Sequence, residues 1–523
     1  MTYIFRNHAV EYLFGSDCQF SGYEDISNIP KADEYLWFYQ LPIAFDCTKL
    51  IEKVHAYKGI VTLLSEQLDK SSIFTIFTIE VRGETFDISS DFSLRMAVDD
   101  FNNNIRRLST SAPNIRVIEI TDFTSRYSSA ELFDSRYYFT AQIPYNPKLR
   151  NAFKEWMVHK NRELSLKRKK CLVLDLDNTL WAGIVGEDGV TGIQIGGAYP
   201  GNAYLLWQQG LKTLQQHGII LTICSKNNPT DIEEVWRTHN DMPLLPEDFV
   251  AYRINWLDKA SNIQSLAKEL NIGLDSMVFI DDNPSERELI RGMLPEVAVP
   301  NFPENAYGLI EFYRTIVNDY FSVYAIADED INKTKQYSNN KKREKAKANF
   351  STFDEYLKWL EIKLYISEMT PTSQLRVAQM TQKTNQFNLT THRYSIQEIQ
   401  HLQDIGARIF TLSVQDRLGD SGITGCLILK ESLVDTYLLS CRILGRGIEF
   451  SFFATIAQKL KEEGLISIEA DYIPTSKNIQ TANFYDQLGA NLISTSPQGY
   501  KHYVLELNKI TKEKNKYFNI QWT

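Results

Sequence analysis

The sequence predicts an α/β protein dominated by parallel sheets. Short runs rich in β-branched and aromatic residues alternate with stretches of helical period. The middle of the chain repeats a strand–helix rhythm from residue 171 to about 320. Strands recurring between helices pair in parallel through right-handed crossovers.

In order, Tyr35–Leu41, Ile73–Val81 and Ile115–Ile120 are aromatic or β-branched and short, as strands are. Cys47–Gln67 and Leu94–Arg107 between them carry the helical period. In the middle region Leu172–Leu176, Ile219–Cys224 and Met277–Ile280 are expected strands. Tyr199–His217, Pro229–His239, Ser261–Leu270 and Ser285–Met293 are expected helices. The basic stretch Lys160–Lys170 is read as a solvated entry to the first of these strands, and the polar, basic run 331–349 as a boundary or exposed helix. Beyond it, Ile423–Lys430 and Thr436–Cys441 are strands of a further α/β region with a helix at Phe450–Leu460. The expected domains are 1–165, 166–330 and 350–510.

At 523 residues the chain is long enough for several full cores. Its 43% hydrophobic and 23% charged content describes an ordinary globular protein. A net charge of −9 argues against general nucleic-acid binding, which needs a basic footprint. The six cysteines are scattered without a CxxC pair, the pattern of reduced intracellular thiols. The first residues have polar side chains interspersed throughout, unlike a signal peptide, and no run approaches a membrane span. A cytoplasmic protein without membrane or nucleic-acid partners is expected.

Chemistry concentrates in the middle region. Asp175 and Asp177 leave one strand two residues apart, on one face, at the end where open α/β sheets bind ligands. The strand ending in Cys224-Ser225-Lys226-Asn227-Asn228 turns into a helix opened by Pro229. Such a turn offers backbone N–H groups and a hydroxyl to an anion, although Ser225 would serve equally as a plain helix cap. Lys259 offers a cation, and Asp281-Asp282-Asn283-Pro284 ends another strand in paired carboxylates. Oxygen ligands from two strand ends suit Mg²⁺ together with a substrate phosphate. Singly, each piece has an ordinary structural use. In this order on one α/β unit, they form a phosphate-handling constellation. Only 47 residues separate Asp177 from Ser225 and 33 separate Ser225 from Lys259, too few for a lid domain.

These four motifs resemble those of the haloacid-dehalogenase (HAD) superfamily. The longer strings DLDNTLWAGIVGEDGVTGIQIG, CSKNNP, NWLDKASNI, FIDDNPSERE and KTNQFNLTTHRY are similar to its FkbH-like family. The resemblance implies a Rossmannoid catalytic sheet with Asp175 as nucleophile and Asp177 as general acid and base. It implies Ser225, Lys226, Asn227, Asn283 and Lys259 around the phosphoryl group. Mg²⁺ would sit among Asp175, Asp281, Asp282 and the backbone carbonyl of Asp177. It further implies that 1,3-bisphosphoglycerate is dephosphorylated and its glyceryl group loaded onto the phosphopantetheine thiol of an acyl carrier protein, for polyketide-type biosynthesis. Cys224 is then a candidate for a transient thioester, or a core residue if strand alternation turns it away.

Two flanks complete the reading. Arg442-Ile-Leu-Gly445-Arg446-Gly447, with Asn478 and Asn483–Ala490, resembles GNAT-type acyltransferases, which implies Arg442, Gly445 and Gly447 at a pyrophosphate or pantetheine arm. Acyl transfer and carrier binding both stay open for that region. Thr384–Thr390, dense in amides, is either a substrate or carrier contact or a hydrogen-bonded turn. The N-terminal region resembles SGNH-hydrolase-like domains, with Gly15-Ser16-Asp17 as a faint nucleophile block. Asp134-Ser-Arg-Tyr137 stands where a His base would belong, so a structural or docking role is expected. Alternatives are a plain HAD phosphatase on a small phosphoester or phosphoprotein, and a noncatalytic carrier-docking protein.

Overall fold

The computed structural model of the chain describes residues 1–70, 72–82, 92–112, 114–165, 168–239, 242–326, 339, 342–343, 346–347, 349–510 and 517–523. They form two compact units, Met1–Asn161 with Tyr394–Ile405, and Arg162–Arg393 with Gly406–Thr523. Among the described residues no helix is long and apolar enough to cross a membrane.

In the first unit, strands β1 (Thr2–Arg6), β2 (Cys18–Tyr23), β3 (Glu34–Phe38), β4 (Ile73–Phe77) and β5 (Ile115–Ile118) pair in parallel in the order β2-β1-β3-β4-β5. Tyr35, Leu36, Trp37 and Phe38 are buried in succession, as a central parallel strand requires. Helix α1 (Cys47–Gln67), begun by the Asp46 side chain accepting from Lys49 N, buries Leu50, Val54, Tyr57, Val61 and Leu64. Helix α2 (Ser93–Ser111) buries Leu94, Val98, Phe101 and Ile105 against the same core. These spacings of three, four and seven place one apolar stripe on each helix. Helix Ile396–Asp404, opened by a Ser395–Glu398 capping box, belongs to this unit, where Gln397 Oε1 accepts from Arg116 Nη2 at 3.1 Å.

The second unit holds two sheets. Strands β6 (Cys171–Leu174), β7 (Ile220–Ser225), β8 (Phe249–Ile254) and β9 (Met277–Ile280) are parallel in the order β8-β7-β6-β9. The sequence reading did not anticipate β8, whose Phe-Val-Ala-Tyr-Arg-Ile run is apolar only in its first half. Helices α3 (Gly201–Gln216), α4 (Pro229–Thr238), α5 (Lys259–Leu270) and α6 (Pro284–Met293) alternate with the strands. Alternation divides the core. Leu172, Leu174, Leu221, Ile223, Val278 and Ile280 join one cluster, while Cys171, Val173, Ile220, Cys224, Met277 and Phe279 join the other.

The second sheet comprises β10 (Lys363–Glu368), β11 (Arg408–Asp416), β12 (Gly419–Lys430), β13 (Leu433–Leu439), β14 (Ser467–Tyr472), β15 (Asn491–Thr495), β16 (Lys501–Glu506) and β17 (Asn519–Trp522). Their order is β15-β16-β14-β13-β12-β11-β10-β17, with parallel and antiparallel pairs mixed. Helices α7 (Pro371–Lys383) and α8 (Ile448–Glu462) accompany it. Parallel neighbours β13 and β14 pair only at Leu433↔Glu469 and Val434↔Ala470, then diverge. Buried backbone groups in such a wedge need partners, and Phe387–Leu389 supplies them. Leu389 N donates to Tyr437 O at 3.1 Å, Leu439 N to Phe387 O at 3.0 Å and Ile473 N to Leu389 O at 2.8 Å. The amide-rich segment is therefore an inserted strand-like plug. Asn478 locks it, its Nδ2 donating to Asn388 O and Ile473 O, both at 2.9 Å.

The basic run 331–349 lies mostly outside the described residues. Arg343 is described, and it makes a buried bidentate pair with Asp416 at 2.7 and 2.8 Å.

Candidate active site

The first carboxylate loop leaves β6 and turns sharply. Asn178 adopts a left-handed conformation (φ 53°), which its short polar side chain tolerates, and its Oδ1 accepts from Gly183 N at 3.0 Å. Helix α3 grips the loop's carbonyls with one face: Tyr204 Oη donates to Asn178 O at 2.9 Å, Trp207 Nε1 to Thr179 O at 3.0 Å and Gln208 Nε2 to Leu180 O at 2.9 Å. Sequence reading missed these three. Their signal is the i, i+3, i+4 spacing of hydrogen-bonding tips on an otherwise apolar helix.

Asp175 and Asp281 converge from adjacent strand ends because β6 and β9 are in register, Leu174 opposite Ile280. Both are buried, as is Lys259, the first residue of α5. Lys259 Nζ lies 2.5 Å from Asp281 Oδ2 and 3.1 Å from Asp175 Oδ1. Burial alone would depress the Lys259 pKa, but the charges of Asp175 and Asp281 outweigh it and hold the ammonium well above its usual range. Burial, then the charge of Asp175, raises the Asp281 carboxyl. The same causes, with Asp281 added, raise that of Asp282 to about 6.

Asp175, Asp281 and Asp282 each offer an oxygen, and these atoms lie within 4.8 Å of one another. Asp175 Oδ1 accepts no hydrogen bond among the described residues, its close neighbour being the Lys259 ammonium. Three carboxylates with a spare buried oxygen fit a hard divalent cation such as Mg²⁺. The loop carrying two of them is braced by Arg287 Nη1, which donates to Asp281 O at 2.8 Å and Asp282 O at 2.7 Å, and by Thr179 Oγ1, which accepts from Asp282 N at 3.2 Å. Sequence reading missed Arg287 and Thr179. A buried arginine in the first turn of α6 was the available signal.

The carboxylate of Asp177 lies outside this cluster. Its Oδ1 accepts from Trp181 Nε1 at 3.0 Å and Val185 N at 3.2 Å, and its Oδ2 from Asn227 Nδ2 at 2.9 Å. Asn227 also donates to Ser225 Oγ at 3.2 Å. Thus Ser225 and Asn227, at the end of β7, join Asp177 in one network. Lys226 turns instead to Glu286 Oε1 at 2.6 Å, and Asn283 caps α6 by accepting from Ser285 N at 2.9 Å. Neither of these expected substrate ligands is free of a structural task.

Of the two expectations for Cys224, the structure is consistent with the core one. Its side chain joins the apolar cluster of Cys171 and Val173, on the face opposite Ser225, and its Sγ lies 3.8 Å from the Lys259 carbonyl oxygen. Burial pushes the thiol up to about 12. A nucleophile must be a thiolate, and the buried, apolar setting of Cys224 matches the core alternative for this residue.

Elsewhere, Arg442 follows β13 nine-tenths buried, and Gly445 and Gly447 take left-handed conformations (φ 75° and 79°) ahead of α8. Ser16 is exposed and donates to Asp17 Oδ1 at 3.3 Å just before β2 begins, while Asp134 caps helix Ser135–Ala141 and pairs with Arg136.

Among solved structures, the chain is similar to the N-terminal part of the protein BF1531 from Bacteroides fragilis, which contains a phosphatase domain and was crystallised with Mg. Identity is 26%, coverage 62% of this chain and 94% of that one, and the TM-score 0.52. The ribosomal-protein-S18-alanine N-acetyltransferase of Escherichia coli matches 28% of this chain and 94% of its own at 11% identity, with a TM-score of 0.22. The putative acetyltransferase yncA of Salmonella typhimurium, with its cofactor acetyl-CoA, matches the same shares at 13% identity and 0.22. No protein-family model and no curated protein matches the sequence.

Proposed function

We propose that the protein is a Mg²⁺-dependent phosphatase of the HAD type, acting at Asp175. The carrying observation is the buried constellation of Asp175, Lys259, Asp281 and Asp282, and the likeness to a phosphatase domain crystallised with Mg supports it. Asp175, Asp281 and Asp282 would hold the ion, which supplies charge neutralisation for a phosphoryl group. Lys259 holds its ammonium 3.1 Å from Asp175 Oδ1, where it offsets carboxylate and phosphoryl charge. Asp175 attacks the phosphorus to form an acyl phosphate. Asp177, oriented by Trp181 and Asn227, delivers a proton to the leaving oxygen and later takes one from water. Ser225 Oγ, which accepts from Asn227 and keeps its own proton to donate, would meet a phosphoryl oxygen.

In its finer form, the proposal takes 1,3-bisphosphoglycerate as substrate and an acyl carrier protein as acceptor of the glyceryl group, on the sequence resemblance alone. Intact-mass analysis of a holo-carrier protein incubated with the enzyme, Mg²⁺ and 1,3-bisphosphoglycerate tests it. A glyceryl adduct that disappears with Asp175→Asn is the expected result. Phosphate release without an adduct would leave the plain phosphatase. The burial of Cys224 and the hydrogen bonds that fill the wedge between β13 and β14 support that second reading.

A further inference from the structure

The first unit has a cavity of its own, placed where its strand order calls for one. In the order β2-β1-β3-β4-β5 the chain leaves β1 toward β2, while the neighbouring β3 sends it the opposite way toward β4. Loops that part in this way leave a crevice at the carboxyl ends of the two strands, where open α/β sheets bind ligands. A cavity of about 290 Å³ lies there. Asn7 and His8 follow β1 directly, Glu24 follows β2, and Lys53 comes from α1. Tyr138, Phe139 and Gln142, from the helix Ser135–Ala141 and its end, complete the wall. Ser16 precedes β2, at the opposite edge of the sheet, and takes no part.

The polar groups of the cavity are fixed by their neighbours. Asn7 is clipped to the backbone beyond β3. Gln40 N donates to its Oδ1 at 3.0 Å, and its Nδ2 donates to Gln40 O at 2.7 Å and to Tyr57 Oη at 2.8 Å. Oδ1 is therefore an acceptor, so His8 Nδ1, 2.7 Å away, carries the proton between them. In a neutral ring this leaves Nε2 with a lone pair. Burial, helped by the charges of Arg82 and Lys53, lowers the His8 pKa to about 3, so the ring is neutral at ordinary pH. His8 is only 5% exposed, and its Nε2 makes no hydrogen bond among the described residues. Lys53 Nζ meets both oxygens of Glu24 at 2.7 Å, so these two charges offset each other. The side-chain amide of Gln142 has no partner among the described residues. No serine, threonine or cysteine lines the cavity among the described residues, so His8 has no nucleophile there to activate. Its chemistry is recognition.

A buried lone pair calls for an O–H or N–H donor. Lys53 and Gln142 offer hydrogens, while Glu24 and Gln142 offer oxygens. A hydroxyl both donates and accepts, so it suits all of these groups. A charged ligand would compete with the Lys53–Glu24 pair. The largely exposed ring of Phe139 adds an apolar face, and small-molecule sites combine such faces with a few fixed polar groups. We propose that this cavity binds a small, uncharged, hydroxyl-rich molecule of the polyol class. One hydroxyl donates to His8 Nε2, a second meets the Gln142 amide, and the carbon chain lies against Phe139. The site shares no residue with the Asp175 constellation and stands whether or not that centre is a phosphatase.

Saturation-transfer NMR of the full chain with xylitol, and separately with glycerol, tests the proposal. Neither polyol carries a phosphoryl group for the Asp175 centre to hold, so wild type and Asp175→Asn are expected to bind alike. His8→Phe keeps a ring against Tyr138 and removes the acceptor, and Gln142→Met keeps the stem and removes the amide. Each should raise the dissociation constant about fivefold or more. Melting temperatures taken alongside separate lost binding from lost folding, and Gln142→Met decides if His8→Phe does not fold. Absence of transfer to either polyol at high millimolar concentration overturns the proposal. So does equal binding by wild type and the folded cavity variants, or binding that is lost in Asp175→Asn.

Discussion

Replacing Lys259 by Met should unfold the phosphatase sheet far more readily, and the loss should be returned by Mg²⁺. The ammonium sits 2.5 Å from Asp281 and 3.1 Å from Asp175, with all three residues buried. Methionine keeps the unbranched stem as far as Cε and removes the charged nitrogen. What remains is three carboxylates whose oxygens fall within 4.8 Å of one another. Breaking a buried pair from one side costs about 3–5 kcal/mol, and one lysine serves two partners here, so the upper end is expected. An ion bound by the folded state at about 100 times its dissociation constant restores ~2.7 kcal/mol. Acid should also narrow the gap. The folded-state pKa of Asp282, at about 6, is raised above that of a free carboxyl, so this group favours folding at low pH and loses that contribution as pH rises through its folded value. Urea titrations followed by the fluorescence of buried Trp181 and Trp207, in chelator and in Mg²⁺, provide the assay. Equal midpoints for wild type and Lys259→Met in chelator would refute the reasoning, as would a deficit that Mg²⁺ leaves untouched.

Three further outcomes follow from particular contacts. His8, buried beside Asn7 and Arg82, has its pKa lowered from 6.5 to about 3, mainly by burial; it folds neutral, so the first unit should lose about 2 kcal/mol between pH 6.5 and pH 5 in chemical denaturation, and His8→Gln should flatten that slope. Asn478→Ala removes two donors from the plug between β13 and β14 and should cost about 2–3 kcal/mol, with hydrogen exchange at Leu389 and Leu439 accelerating. Trp207→Phe leaves the buried Thr179 carbonyl without its donor; a loss of about 1–3 kcal/mol is expected, with phosphate release slowed more than substrate affinity is weakened, as the Asp177 loop shifts.

The expected helix Cys47–Gln67 and strand Met277–Ile280 have those bounds in the structure. Both are long or strongly apolar segments between clear breakers, where local pattern and burial agree. Strand β8 escaped notice because its second half, Tyr252-Arg253-Ile254, carries no unbroken apolar signal; its pairing with β7 makes it a strand. The carboxylates of the site were legible for a similar reason. Asp175, Asp281 and Asp282 stand directly after apolar strands, and parallel strand ends gather on one edge.

Which groups touch which was not legible. The division of labour among Ser225, Lys226 and Asn227 depends on strand alternation and on Glu286, sixty residues away from Lys226, accepting its ammonium. Cys224 adjoins Ser225 in the chain, yet the two face opposite sides of the sheet, one toward core and one toward the site. Arg287, Tyr204, Trp207 and Gln208 brace the loops through backbone carbonyls, contacts that any sequence of the right shape could make. Residues Phe387–Leu389 make a strand-like bridge only because β13 and β14 part company beside them. By itself, then, the sequence determined the elements and the chemical inventory of the site, since both are written in local period and residue type. Only the tertiary structure decided which side chains converge, which are spent on one another, and where the cavity of the first unit lies, because these depend on distance between segments remote in the chain.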